Sequence, residues 1–253
     1  MRPPALAPGR RCGEDDRVSA SFRLRAGDHG PTQQSEVTCG AACLTVARML
    51  VDVPFAAWIE RGEGHPVPGA EGATRDERFA AYEGVVHART TAGHLGATGA
   101  RLPWPRALGT PPWGARAELE SGASAVGTRY TTDVLRHRDR AGLAAAFAGL
   151  VTLVADGQPA LLYVGDRWLP RHVTLVLPGD GRSRVEVYEP ATGLVRPVRR
   201  PDLTGARLRL GGWDQPWFLV RPTGHRAVRA GAGARVRLPR LARDPSPEAL
   251  HRR

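Results

Sequence analysis

Gln33-Gln34-Ser35-Glu36-Val37-Thr38-Cys39-Gly40-Ala41-Ala42-Cys43-Leu44 is the segment from which the reading of this 253-residue chain follows. Cys39, Cys43, Val46 and Leu50 recur at spacings of four, three and four, which predicts a helix over residues 39–50 with one apolar stripe. Thr38 is of N-cap type, and Gly40 keeps the first turn slim. Cys39 then stands at the positive end of the helix dipole, which favours thiolate over thiol. Ala41 and Ala42 are small, so the helix can be buried behind it. Cys43, one turn inside, reads as a core thiol. Cysteine is among the most often buried residue types, so the same structural reading is open for Cys39.

A second informative region spans residues 159–198. Pro159–Val164 is a short apolar run and reads as a buried strand. His172–Leu177 is another, and Arg184–Glu189 alternates with period two. Between the last two lies Pro178-Gly179-Asp180-Gly181-Arg182, and Asp-Gly is a strong hairpin signal. With Asp180 and Gly181 as the turn, paired positions sum to 361, and His172 faces Glu189 directly. Facing side chains lie about 4.5–5.5 Å apart at Cβ, so the carboxylate can accept from the imidazole and fix its tautomer. An ordinary cross-strand polar pair is the plainer reading. A slip of one residue sends Glu189 to the other face.

Taken together these residues resemble the bacteriocin-processing cysteine peptidases, which cut double-glycine leader peptides. The resemblance rests on Gln34-Ser35-Glu36-Val37-Thr38-Cys39-Gly40-Ala41-Ala42-Cys43-Leu44, on Arg171-His172-Val173-Thr174-Leu175-Val176, and on Glu189-Pro190-Ala191-Thr192-Gly193, with Glu where that family carries Asp. It implies an α+β, papain-like fold, with an active-site helix packed on an antiparallel sheet. It also implies Cys39 as nucleophile, His172 as base, Glu189 as orienter and a glutamine as oxyanion donor. Gln33 has the family's six-residue spacing to the cysteine, whereas Gln34 aligns through Gln-Ser-Glu; Gln33 is preferred for the role. Gln34 and Gly40 are then candidate substrate contacts, as are Trp104 and Trp113, whose alternative is packing of a Pro-rich loop on the core. The motifs cover under a third of the chain.

Composition bears on the same site. The chain contains no asparagine and no lysine, and Ile59 is its one isoleucine, a bias expected of a GC-rich genome. An Asn orienter is excluded, so the third member is a carboxylate. The net charge of +11 is carried by arginine, and residues 224–253 supply +6 of it from eight arginines against Asp244 and Glu248. That segment reads as a basic, disordered tail, with none of the basic–aromatic interleaving of a nucleic-acid module. Three cysteines, Cys12, Cys39 and Cys43, make no disulfide framework. No stretch of 18 apolar residues occurs and no secretory signal is visible, so a soluble cytoplasmic protein is expected. His65, His87 and His94 lack metal-ligand spacing, residues 93–99 lack dinucleotide and P-loop patterns, and no cofactor or metal is implied.

The remaining organisation is coarse. Residues 1–20 read as a loose arm, 21–222 as the peptidase-like domain with a variable insert at 52–140, and 223–253 as the tail. Phe22–Leu24 is expected as a strand, 60–75 as a Gly/Pro-rich loop and 76–90 as a helix with Phe79, Tyr82 and Val86 inward. A short helix is expected from Trp113 to Glu120. Another spans 142–155 with Leu143, Phe147, Leu150 and Val154 inward, and Trp217–Val220 is expected as a strand closing the sheet. The expected activity is hydrolysis of a peptide or isopeptide bond in a peptide or protein substrate. An inactive peptide-binding module on the same fold and an acyl-transferring enzyme use the same residues.

Overall fold

The computed structural model describes residues 21–92, 104–105 and 108–226. The expected arm at 1–20 with Cys12, the tail beyond 226, and His94 with the 93–99 glycines lie outside the described residues. The elements run α1 (Cys39–Val51), α2 (Val53–Arg61), α3 (Arg75–Thr91), α4 (Pro112–Ser121), β1 (Thr128–Val134), α5 (Arg140–Val154), β2 (Ala160–Gly165), β3 (Pro170–Val176), β4 (Arg184–Tyr188), β5 (Val195–Arg199), α6 (Arg200–Thr204) and β6 (Gln215–Arg226). The strands form one antiparallel sheet in the order β1-β6-β2-β3-β4-β5. The chain is therefore α+β.

The helices start and stop for local reasons. Asp52 caps α2 by accepting from the Phe55 N–H at 3.0 Å, and Gly62 ends it in the left-handed conformation at φ 72°. Thr74 and Glu77 form a reciprocal capping box on α3, which adds about 1 kcal/mol of helix stability. The α1 N-terminus is different. Thr38 holds the N-cap position, but its hydroxyl donates to the Ser35 carbonyl at 2.9 Å and makes no cap bond. The expected cap is thus replaced by a local turn.

Both faces of the sheet are covered. Leu161, Tyr163, Val173, Leu175 and Tyr188 pack with α1–α4 residues such as Cys43, Phe55, Trp58, Phe79, Tyr82 and Leu119. Leu162, Val164, Val176 and Val187 pack against α5 and α6 through Phe147, Leu150, Val154 and Leu203. This explains why β2 is a continuous apolar run and not an alternating one. The helical stripes Phe79/Tyr82/Val86 and Leu143/Phe147/Leu150/Val154 are buried as the periodicity requires.

Several expectations need correction. The 52–140 segment is not set apart from the core: it supplies α2–α4 to the helical layer and β1 to the sheet. β6 does not close the sheet. It lies between β1 and β2, and it runs to Arg226, past the boundary placed at 222. Phe22–Leu24 forms no strand; instead His29 bridges Leu194 beside β5, with Gly30 N–H donating to the Gly193 carbonyl at 2.8 Å. The hairpin pairs Leu175 with Tyr188 and Val176 with Val187, two residues away from the expected register. Asp180 and Gly181 are not its two turn residues: Asp180 accepts from the Arg182 N–H at 3.0 Å inside a wider loop. Among the described residues no single helix is long and apolar enough to cross a membrane.

Because α3 belongs to the common core, Phe79→Ala should destabilise the whole domain by about 3–5 kcal/mol in a single transition, read by urea denaturation. A separate early transition for the helical layer would contradict this packing.

Candidate active site

Three segments meet at the start of α1. Cys39 is its first residue and is 2 % exposed. Gly40 behind it leaves no room for a side chain, because a Cβ there would lie 2.6 Å from the Thr110 Cβ. This gives Gly40 a packing role against the 108–111 loop. Gly109 in that loop takes φ +64° and passes so close to the Val37 carbonyl that a Cβ would stand 2.5 Å from its oxygen. Trp104 donates its indole N–H to the Gly109 carbonyl at 3.0 Å and packs edge-on against Trp113, centroids 5.4 Å apart. The two half-buried tryptophans therefore buttress this loop.

His172 stands in β3 opposite Val164 of β2, and its Nε2 lies 2.6 Å from Glu189 Oε1. The contact is diagonal. In the observed register Glu189 comes level with Thr174, and His172 is two residues further along the same face. A slip of two preserves the face, and the longer Glu side chain spans a diagonal of about 7–8 Å. β4 ends at Tyr188, so no further β3–β4 pair forms toward His172.

The Glu189-Pro190-Ala191-Thr192-Gly193 run is an anchor for this carboxylate. Oε1 also accepts from the Ala191 N–H at 3.0 Å. Oε2 accepts from the Thr192 N–H at 3.1 Å and its hydroxyl at 2.8 Å. Gly193, at φ +74°, turns the chain back where a Cβ would stand 2.4 Å from the Gly30 carbonyl oxygen.

The electrostatics follow. Burial pushes the His172 ring down, but hydrogen bonds to Cys39 and Glu189 and their charges outweigh it and push it up to about 9. Burial pushes Glu189 up, but the His172 bond, the Ala191 N–H and Thr192 hold it down at about 2. Glu189 occupies Nε2, so Nδ1 is the ring nitrogen not engaged by the carboxylate. Cys43 is different: fully buried, it donates to the Val173 carbonyl at 3.4 Å, and burial pushes its thiol well up.

No family model matches this chain, and no curated protein does.

The two glutamines separate clearly. Gln33 is half-buried, and its backbone N–H donates at 2.8 Å to the carbonyl of Pro190, next to Glu189. Its Nε2 donates to the Ser35 carbonyl at 2.8 Å, which leaves a second amide hydrogen, and its Oε1 is buried without a partner among the described residues. Gln34 is exposed, with Nε2 turned back to the Thr32 carbonyl at 3.1 Å.

Four residues at the site were not singled out from sequence. Gly211 and Gly212 take φ +56° and +84° inside a tight turn closed by reciprocal Leu210–Trp213 backbone bonds. Two consecutive positive φ values demand glycine-like residues, so the Gly-Gly pair was a legible signal. A Cβ on Gly211 would lie 2.7 Å from His172 Cδ2, so bare backbone presses on the ring. Thr192 is the third, through its hydroxyl. Glu83 is the fourth: it accepts from the Gln34 N–H, and it sits on the buried stripe of α3, one helical turn beyond Phe79. A cavity of about 750 Å³ lies elsewhere, lined by Leu50, Val51, Phe22, Leu24 and Arg184 at the opposite end of α1.

Two outcomes test this geometry. The raised His172 value means stability fully present below 6.5 and lost as pH rises through about 9. The lowered Glu189 value means stability fully present above 4.5 and lost as pH falls through about 2. The Tm difference between the native chain and Glu189→Gln should therefore be largest between pH 4.5 and 6.5 and narrow on both sides. Gly211→Ala should displace the ring and slow Cys39 alkylation on the order of tenfold to a hundredfold. An unchanged rate would mean that the turn does not set the ring.

Proposed function

We propose that this chain is a papain-like cysteine peptidase of the bacteriocin-processing type, hydrolysing a peptide or isopeptide bond. One observation carries the reading: a buried imidazole is bonded to a carboxylate that accepts from four donors, and Cys39 at the start of α1 is near enough to act on the ring electrostatically. An ordinary cross-strand polar pair needs neither the sulfur nor four donors on the carboxylate.

In this reading the Cys39 sulfur attacks the carbonyl carbon, and His172 takes up the thiol proton. The developing oxyanion is held by the Cys39 backbone N–H and the Gln33 amide. The absence of a Thr38 cap favours this, because the first-turn N–H groups of α1 are not engaged by that side chain. The proton that His172 takes up is held by its hydrogen bond to Glu189 and that carboxylate's charge until it passes to the leaving amine. Glu189 orients the ring and stabilises its charge. Water then attacks the thioester, and His172 acts as base. On the turn leading into β3, Trp168 is 68 % and Leu169 41 % exposed, an apolar surface suited to side chains of a peptide.

The test is selective alkylation. Iodoacetamide or a vinyl-sulfone probe at neutral pH should modify Cys39 at least about tenfold faster than Cys43, located by mass spectrometry, with Cys12 as internal reference. His172→Ala should remove most of that advantage. Equal or reversed rates in the native chain would remove Cys39 as nucleophile and with it the peptidase reading.

A further inference from the structure

Glu83 is a buried carboxylate that the chemistry above leaves unused. It is 1 % exposed on α3. Oε1 accepts from the Gln34 N–H at 3.1 Å, and Oε2 is buried with no hydrogen-bond partner among the described residues. Burial raises its pKa, while Thr38 and the Gln34 N–H offset part of the rise. A methionine of similar shape would fill the place without the cost of desolvating a carboxylate, so stability alone does not account for an acid here.

What the acid touches is informative. The segment from Pro31 to Thr38 is tied from the sheet side by the Tyr188 hydroxyl, which donates to the Pro31 carbonyl, and by the Gln33 N–H on the Pro190 carbonyl. Glu83 ties it from the helical side, one residue past Gln33. The Gln33–Gln34 backbone is thus gripped between the turn that carries Glu189 and a helix of the 52–140 segment. An oxyanion donor acts only when its N–H is fixed where charge develops.

We infer that Glu83 is a positioning residue, accepting the Gln34 N–H so that the Gln33 amide and the Cys39 N–H converge on the oxyanion. The inference rests on the peptidase reading. It assigns the middle of the chain a part in the site.

Two reactions of the same sulfur separate this role from general support. Iodoacetamide forms the S–C bond and expels iodide without an oxyanion. p-Nitrophenyl acetate acylates Cys39 through one: the sulfur adds to the carbonyl carbon, its π pair moves onto oxygen, and collapse expels p-nitrophenolate and leaves a thioester. The ratio of acylation to alkylation rates, corrected with Cys39→Ala, therefore reads the oxyanion site independently of the nucleophile. In the 253-residue chain, Glu83→Met should lower that ratio about tenfold or more with little change in alkylation or Tm. Glu83→Gln keeps the acceptor and should restore most of it. An unchanged ratio in Glu83→Met overturns the inference, as does a parallel loss of both rates with a lowered Tm. A Glu83→Gln loss equal to that of Glu83→Met also overturns it. If the native chain shows no acylation beyond Cys39→Ala, the peptidase reading falls and the inference with it; a native burst matched by Glu83→Met removes Glu83 alone.

Discussion

The hydrogen bond between His172 Nε2 and Glu189 is the contact on which the candidate site turns. A charged pair buried this deeply is unfavourable unless the remaining lone pairs are satisfied. Here they are. Two backbone N–H groups and a threonine hydroxyl complete the carboxylate, and they come from the next three residues of the chain. The local turn therefore offsets much of the desolvation before any tertiary contact is counted. The same turn brings Pro190 against Gln33 and Gly193 against Gly30, so one five-residue run fixes both the Glu189 carboxylate and the segment that leads to Cys39.

Much of this was legible in the residues, for physical reasons. The helix behind Cys39, the α3 and α5 stripes and the apolar β2 run follow from periodicity and burial. The meeting of His172 with Glu189 was legible because side chains on a strand alternate strictly, so an error of two residues in register leaves the face unchanged. The register itself was not legible. The Asp-Gly dipeptide suggested a two-residue turn, while the observed loop is wider and centred further on. β1, β5 and α2 were not foreseen. β5 carries Pro197 among two valines and two arginines at a sheet edge, and β1 is half-exposed, so neither shows the apolar signature of a buried strand.

The 52–140 segment illustrates a different limit. Its helices bury Phe55, Trp58, Phe79, Tyr82 and Leu119 in the same cluster as α1. Sequence periodicity can show that such a helix has an inner face but not what that face meets. Glu83 lies on the inner face between Phe79 and Val86, and an acid there is a conspicuous break in an apolar pattern. A chain without lysine or asparagine also has few ways to build polar contacts in a core. It uses arginine on carbonyls, as with Arg78 on Ile59 and Ala73, and carboxylates on backbone N–H groups.

The place of β6 in the sheet has a consequence for how the molecule is made. This last described strand slots between β1 and β2, so its two neighbours cannot pair with each other in advance. Until residues 215–226 have been synthesised, β1 has no partner and β2 presents an open edge with a fully apolar strand behind it. Open edges of that kind recruit other chains. The pairings that close them link residues fifty or more positions apart, which slows their formation. Assembly of the sheet is thus deferred to the final part of the described chain. A chain stopped short of β6 would be an aggregating species, not a smaller version of the same fold.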